Sequence, residues 1–415
     1  MARATTLLPG GTAGRLFGTG LALGVAAGTA WATWAAGRAL GGQVSRDRTD
    51  NPRLINWGWA RAIATKTARA YGPPPGAARP AGSAEAREAA RAEYVRLVER
   101  SAARVSEYTG IRLPAPLTQV HLFDRVEWVD ANLSQFQLMF EPLDAAYAAA
   151  LARAAGAAPV GALGQVLLSA QMGILLGYLA RRVLGQYDLA LLGREPVPKG
   201  RLYFVGPNLA AMEERYALPP QQFRAWIALH EVTHAVEFEA HPWVRDYMNE
   251  LLTVYLRSLS DDLFGQRAGG ALGTFAGRIK DNLFESSHML ELMMSREQRA
   301  VFRKLQALMA LMEGYSNHVM QQVGARHLKD HQTLKQTFES RARSRSPAEQ
   351  LFIKLTGLDI KLEQYALGER FCQQVVEARG IDFMNRVWAG PEQLPALDEI
   401  HEPGRWIARQ AAAVA

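Results

Sequence analysis

The segment LHEVTHAVEFEAHP, Leu229 to Pro242, commits the chain to a helix with two histidines on one side. Pro219-Pro220 can stand only at a helix start, and Pro242 disfavours helical backbone at His241, so a helix is predicted from Pro220 to Ala240. Phe223, Ile227, His230, His234 and Phe238 share one face of it, which sets both histidines in an apolar stripe. Positions i and i+4 of a helix stand one above the other, so each imidazole can turn a nitrogen to one Zn2+ at about 2.0 to 2.1 Å. Two buried histidines without a metal would each need a hydrogen-bond partner, a heavier demand on the fold. Glu231 lies about 100° round from His230, beside a metal and not on it. That suits a general base that takes a proton from water and carries it to a leaving amine.

A catalytic zinc takes three protein ligands, so one must come from elsewhere. An H-E-x-x-H-x-x-G-x-x-H extension would need Gly at Glu237 and His at Ala240; both differ, and His241 is one residue out of register. The other common solution is a glutamate on a later helix. Glu313 in LMALMEGYSNHVMQQVG follows an apolar run and precedes Gly314, where a backbone can approach another element closely. Asn317, one turn on, is spaced to hydrogen-bond a ligand histidine. Tyr315 and His318 are candidates for stabilising an oxyanion or for filling the cavity. Glu285, His288 and Glu291 in NLFESSHMLELMM compete with Glu313 as ligand, and so does Glu237, which points off the ligand face unless the helix opens.

The surroundings are mainly α-helical. Ala, Leu, Glu and Arg recur at helical spacing, with helices expected near 57–71, 84–104, 248–259, 273–292, 297–323, 346–355 and 360–378. GALGQVLLSAQMGILLGYLARRVL, Gly161 to Leu184, reads as a closely packed buried helix, because Gln165 and Gln171 would be costly in lipid. Strand candidates are few; RLYFVGP, Arg201 to Pro207, is the best, and as an edge strand its Tyr203 to Val205 could pair with an extended peptide. Three parts are expected: an apolar segment and linker at 1–48, a catalytic domain at 49–325, and a helical part at 326–415 packed on it.

The sequence resembles the zincin-2 type of zinc-dependent metalloproteases. The resemblance rests on RVLGQYDLAL, GRLYFVGPNL, LHEVTHAVEFEAHPWVRDY, LMEGYSNHVMQQVG, LTGLDIKLEQYALGERF and LPALDEIHEPGRWIAR, in order from about residue 50 to 410. It implies a zincin-like fold with few short strands, a gluzincin-like zinc site at His230 and His234, and Glu313 as third ligand. The family's E-G motif reads E-G-H-A-D-Y. Here Asn317 stands where that motif has Asp, so a neutral amide replaces the carboxylate that would orient a ligand histidine.

Two functional readings follow. One is a zinc-dependent peptidase acting on a peptide or protein of unknown identity; the other is a zinc-binding scaffold, or pseudo-protease, without peptidase activity. The net charge of +7 is spread along the chain, and its one dense basic run, Ser340 to Ser346, reads as a solvated loop, so nucleic acid is not an expected partner. A single cysteine, Cys372, rules out an intrachain disulfide and suits a reducing, cytoplasmic compartment. Residues 16–36 are uncharged and long enough to span a bilayer, which makes membrane association through them the competing expectation.

Overall fold

The computed structural model describes residues 53–70, 84–153, 158–188, 200–264, 294–343 and 358–413. The apolar segment 16–36, the helices expected at 273–292 and 346–355, and residues 344–346 of the basic run lie outside them. In chain order the elements begin with α1 (Trp57–Arg69), α2 (Ala84–Thr109), β1 (Val120–Phe123), α3 (Arg125–Arg153) and α4 (Ala158–Ala180). Then come β2 (Gly185–Asp188), β3 (Arg201–Val205), α5 (Gly206–Arg215), α6 (Pro220–Glu239), α7 (Pro242–Phe264) and α8 (Arg296–His327). The C-terminal part holds α9 (His331–Arg343), α10 (Leu358–Arg379), α11 (Ile381–Met384), a 3-10 turn at Asn385–Trp388, α12 (Leu397–His401) and α13 (Pro403–Ala412).

Helix α6 is the axis of the molecule. It starts where the prolines require, with extended Pro219 as cap and Pro220 in its first turn, and it ends at Ala240 before Pro242 opens α7. Phe223, Trp226, Ala228, Leu229, Val232, Ala235, Val236 and Phe238 are buried, and they point to every side of the helix. A helix apolar all round belongs in the interior. Here α8 and α2 flank it and β2 crosses beside it. Phe371, Cys372 and Trp406 from the C-terminal helices join Trp226 and Phe204 in the same core. Each fully buried Phe or Leu contributes roughly 1.5 to 3 kcal/mol, so this cluster carries much of the fold's stability.

The three strands form one small sheet in the order β1-β3-β2, with β1 parallel and β2 antiparallel to β3. Sequence reading anticipated β3 alone, because β1 and β2 are four residues each and too short to show alternation. The expected edge position of Tyr203 to Val205 is corrected here. They sit in the middle strand, buried and paired on both sides, and the strand next to α6 is β2.

The run Gly161–Leu184 is helical only to Ala180. Asn208 of α5, 3% exposed, donates through Nδ2 to the carbonyls of Ala180 and Val183, at 2.9 and 2.7 Å, so the last turn of α4 ends there and the chain enters β2. Gly173 and Gly177 of α4 lie against the backbone of α1, where a Cβ would come within 2.7 Å of the Ala60 and Ala64 carbonyl oxygens. The small residues of this run thus serve helix packing. No helix among the described residues is long and apolar enough to cross a membrane.

Helices α8 and α10 cross in backbone contact. A Cβ on Gly314 would stand 2.1 Å from the carbonyl carbon of Gly368, and one on Gly368 would stand 1.8 Å from the Ala310 oxygen. Alanine at either position forces the helices apart, at a cost of about 1 to 3 kcal/mol or more. Gly314→Ala and Gly368→Ala are therefore expected to lower the thermal midpoint sharply, while Gly404→Ala, with open space around it, leaves it near wild type. Thermal unfolding followed by circular dichroism checks this, and equal midpoints for all three variants would refute the close-crossing account.

His318 supplies a second check. Burial holds its imidazole down at about 4, against the opposing pull of Glu377, and its Nε2 meets the Tyr108 hydroxyl at 2.8 Å. An unfolded imidazole titrates near 6.5, so below that pH the unfolded chain takes up the proton first. The stability that neutral His318 contributes is complete above about 6.5 and is lost as pH falls toward 4. Between pH 7.5 and pH 5 the wild type should lose about 2 kcal/mol more unfolding free energy than His318→Gln, measured by chemical denaturation.

Candidate metal centre

On α6 the His230 and His234 rings stand 4.7 Å apart at 87°, with their Nε2 atoms 3.2 Å from each other. The Gly314–Gly368 crossing seats α8 so that the next side chain, Glu313, reaches the same point. Its Oε2 is 3.6 Å from the His230 Nε2 and 3.9 Å from the His234 Nε2. Among the described residues this is the one group of three metal-ligating side chains whose donor atoms all lie within 4.8 Å of one another.

The donor set fits zinc. Two nitrogens held at 2.0 to 2.1 Å by a tetrahedral ion lie about 3.3 Å apart, close to the separation of the two Nε2 atoms. Two bare imidazole lone pairs so close together call for a cation or a proton between them. Three protein ligands of the N, N, O type leave a fourth position open, the pattern of catalytic rather than structural zinc.

Glu231 is buried beside this group and is held by β2. Its Oε2 accepts the backbone N–H of Tyr187 at 3.0 Å, and its side chain lies on Gly185, where a Cβ would come within 2.6 Å of its Cγ. Burial raises the Glu231 carboxyl above the usual carboxylate range, and His230 and His234 pull it back down. The strand is itself fastened to α6 through Tyr187, whose hydroxyl donates to Glu239 Oε1 at 2.5 Å; Gly200, at the start of β3, donates its N–H to the same oxygen at 3.1 Å. From the other side Trp128 of α3 donates its Nε1–H to Gln186 at 2.7 Å.

Glu237 is not one of the grouped donors; it meets a ligand from behind. Its Oε2 lies 2.9 Å from the His234 Nδ1, and its Oε1 accepts the Ser316 hydroxyl at 3.1 Å. Ser316 Oγ is also 3.1 Å from that Nδ1. Burial works to lower the His234 imidazole, but Glu237, Glu313 and Glu231 outweigh it and hold it up at about 10. The partner expected for a ligand histidine, Asn317, hydrogen-bonds neither one, and the buried His230 Nδ1 has no hydrogen-bond partner among the described residues.

The other predicted side chains are engaged elsewhere. The Tyr315 hydroxyl donates to Asn385 Oδ1 at 2.7 Å in the core, and His318 meets Tyr108, so neither polar group is turned to the histidine pair. His241 stacks on Trp388 at 5.4 Å. Glu285, His288 and Glu291 lie outside the described residues. Sequence reasoning missed Gly185 and Tyr187, which sit in a strand too short to announce itself. It also missed the orienting part of Glu237 and Ser316, for which the signal was available: each stands three residues after a ligand on its own helix. Two surface hollows, of about 260 and about 450 Å3, are lined by other residues, and it is donor geometry that marks this site.

Comparison with known proteins agrees with that geometry. No curated protein matches the chain. A solved protein from Chloroflexus aurantiacus, described provisionally as a hydrolase with a novel fold, is similar to it at 40% identity, with a TM-score of 0.62, over 86% of this chain and 99% of the other. The model of one family, zincin-like metallopeptidase, matches residues 55–407, which takes in α1 to α12, the first half of α13, both histidines and Glu313. With the match running from the first described helix into the last, the chain belongs to the zincin-like metallopeptidase family.

Proposed function

We propose that the protein is a zinc-dependent peptidase in which His230, His234 and Glu313 hold the metal and Glu231 is the general base. The observation that carries the reading is the convergence of three donors within 4.8 Å beside a buried carboxylate that, among the described residues, is anchored by one of its oxygens. When bound, zinc supplies a Lewis acid for the scissile carbonyl and acidifies the water it holds.

The chain's own residues do the rest. Tyr187 N–H fixes Glu231 Oε2, while no donor among the described residues reaches Oε1, so one oxygen orients the carboxylate and the other is left to move a proton. A buried carboxylate with a raised pKa is a better base than a solvated one, because its charged form is less stabilised. Glu231 takes the proton of the attacking water and delivers it to the leaving amine nitrogen, so the base of the first step is the acid of the second. The peptide or protein substrate is the class this chemistry serves. Asn317 favours the second reading, a zinc-binding scaffold without peptidase activity, since the carboxylate of the family motif is absent there.

Three outcomes are expected. Purified protein carries about one zinc per chain by elemental analysis, as one three-ligand site requires, and His230→Ala loses it. Glu231→Gln keeps the metal and loses hydrolysis by roughly 10²- to 10⁴-fold, the range for removing a general base. A search for cleavage products in a cell extract, wild type against Glu231→Gln, supplies the substrate and the readout; identical product sets from the two would leave the scaffold reading standing. Gly185→Ala, whose Cβ displaces Glu231, should also keep zinc and lose at least tenfold in rate, a cost of about 1.4 kcal/mol in the barrier.

A further inference from the structure

We infer that Glu237, fixed by Ser316, is the positioning residue of the metal centre, and that it sets how tightly His234 holds zinc. The inference rests on the proposed zinc site and concerns a residue that does not touch the metal.

Glu237 follows His234 by three residues on α6, which brings the two side chains together on the helix surface. Its side chain is 0% exposed, against 13% for His234, 19% for His230 and 28% for Glu313. Both carboxylate oxygens are committed: Oε2 to the His234 Nδ1 at 2.9 Å, and Oε1 to the Ser316 hydroxyl at 3.1 Å. Among the described residues no Lys or Arg makes an ion pair with it. A sealed carboxylate is costly to bury, and an amide would supply the same acceptor at less cost if shape were all that mattered. The charge itself is therefore the useful part.

With Glu237 as acceptor, the imidazole proton is kept on Nδ1, so the Nε2 lone pair is the one turned to the metal. Ser316 locks the arrangement from a second helix. It stands three residues after Glu313 on α8, so the element that brings the third ligand also brings the hydroxyl that fixes Glu237. His230 has no such support, since its Nδ1 is buried without a hydrogen-bond partner and Asn317 supplies none. The two histidines are thus unequal: His234 has a carboxylate behind it and, among the described residues, His230 has none.

Competition with a chromophoric chelator measures zinc affinity in metal-stripped protein. Wild type must first bind zinc more tightly than His230→Ala; if it does not, the zinc reading itself fails, and it does so before any variant of Glu237 is made. Glu237→Gln is then expected to weaken zinc about 10- to 100-fold, the usual cost of losing such a partner, and to shift the visible spectrum of the Co2+-substituted protein, while its apo helicity stays at the wild-type level. Ser316→Ala weakens zinc less, and Asn317→Ala leaves the affinity where it was. Wild-type affinity in a folded Glu237→Gln overturns the inference, and so does a loss in Asn317→Ala as large as in Glu237→Gln. Should Glu237→Gln not fold, long-range proton–nitrogen spectra of zinc-loaded wild type decide: a proton on the His234 Nδ1 supports the assignment and a bare Nδ1 overturns it.

Discussion

Burying a carboxylate costs several kcal/mol unless a partner meets it, and α6 buries Glu231 and Glu237 within two turns of the molecule's central helix, with His234 mostly enclosed between them. The neighbours of α6 are arranged as answers to that cost. Strand β2 offers a backbone N–H to Glu231, α8 offers a hydroxyl to Glu237, and Glu237 in turn meets His234. The third carboxylate of the helix, Glu239, takes the Tyr187 hydroxyl and the Gly200 N–H, which fastens β2 and the start of β3 to the end of α6. A three-strand sheet on so helical a protein is thus no remnant. It is the wall against which the buried Glu231 carboxylate is set.

Backbone contact does for Glu313 what hydrogen bonds do for Glu231. Because Gly314 and Gly368 let α8 and α10 touch, the axis of α8 is fixed by atoms that cannot rotate away, and the residue before Gly314 inherits that precision. The same helix places Ser316 behind His234. A shift of α8 would move Glu313 and the Ser316 hydroxyl together, so the packing of two glycines, neither of which has a side chain to offer, reaches the candidate metal centre directly.

What could be read in the sequence follows from how far each feature depends on neighbours in space. The bounds of α6 were legible because prolines at both ends act locally. Glu313 was legible as one of several candidates because an apolar run ending in Glu-Gly is a local pattern, whereas its meeting with α6 depends on Gly368, some fifty residues away in sequence. The end of α4 at Ala180 was not legible, since a distant side chain, Asn208, takes its carbonyls while the apolar composition simply runs on. Helical spacing sets Glu237 off the face shared by the two histidines, and that same offset is what brings its carboxylate to the Nδ1 side of His234.

The exposure of the site falls in one direction, from Glu313 at 28% through His230 at 19% and His234 at 13% to Glu237 at 0%. Glu313 and His230 are therefore the more open side of the group, and Glu237 the closed one, where Ser316 of α8 meets it. The edge strand of the sheet beside α6 is β2, and its outward N–H at Tyr187 is already held by Glu231. Outward groups alternate along a strand, so Gly185 is the next position whose backbone faces the same way. An extended peptide laid along β2 would have to share the Tyr187 N–H with the base or pair only around Gly185, where the lack of a side chain is needed for Glu231 in any case. Holding the Glu231 carboxylate and pairing with an added strand would thus draw on the same four residues of β2. Strand pairing could supply only a short register there, because β2 is four residues long.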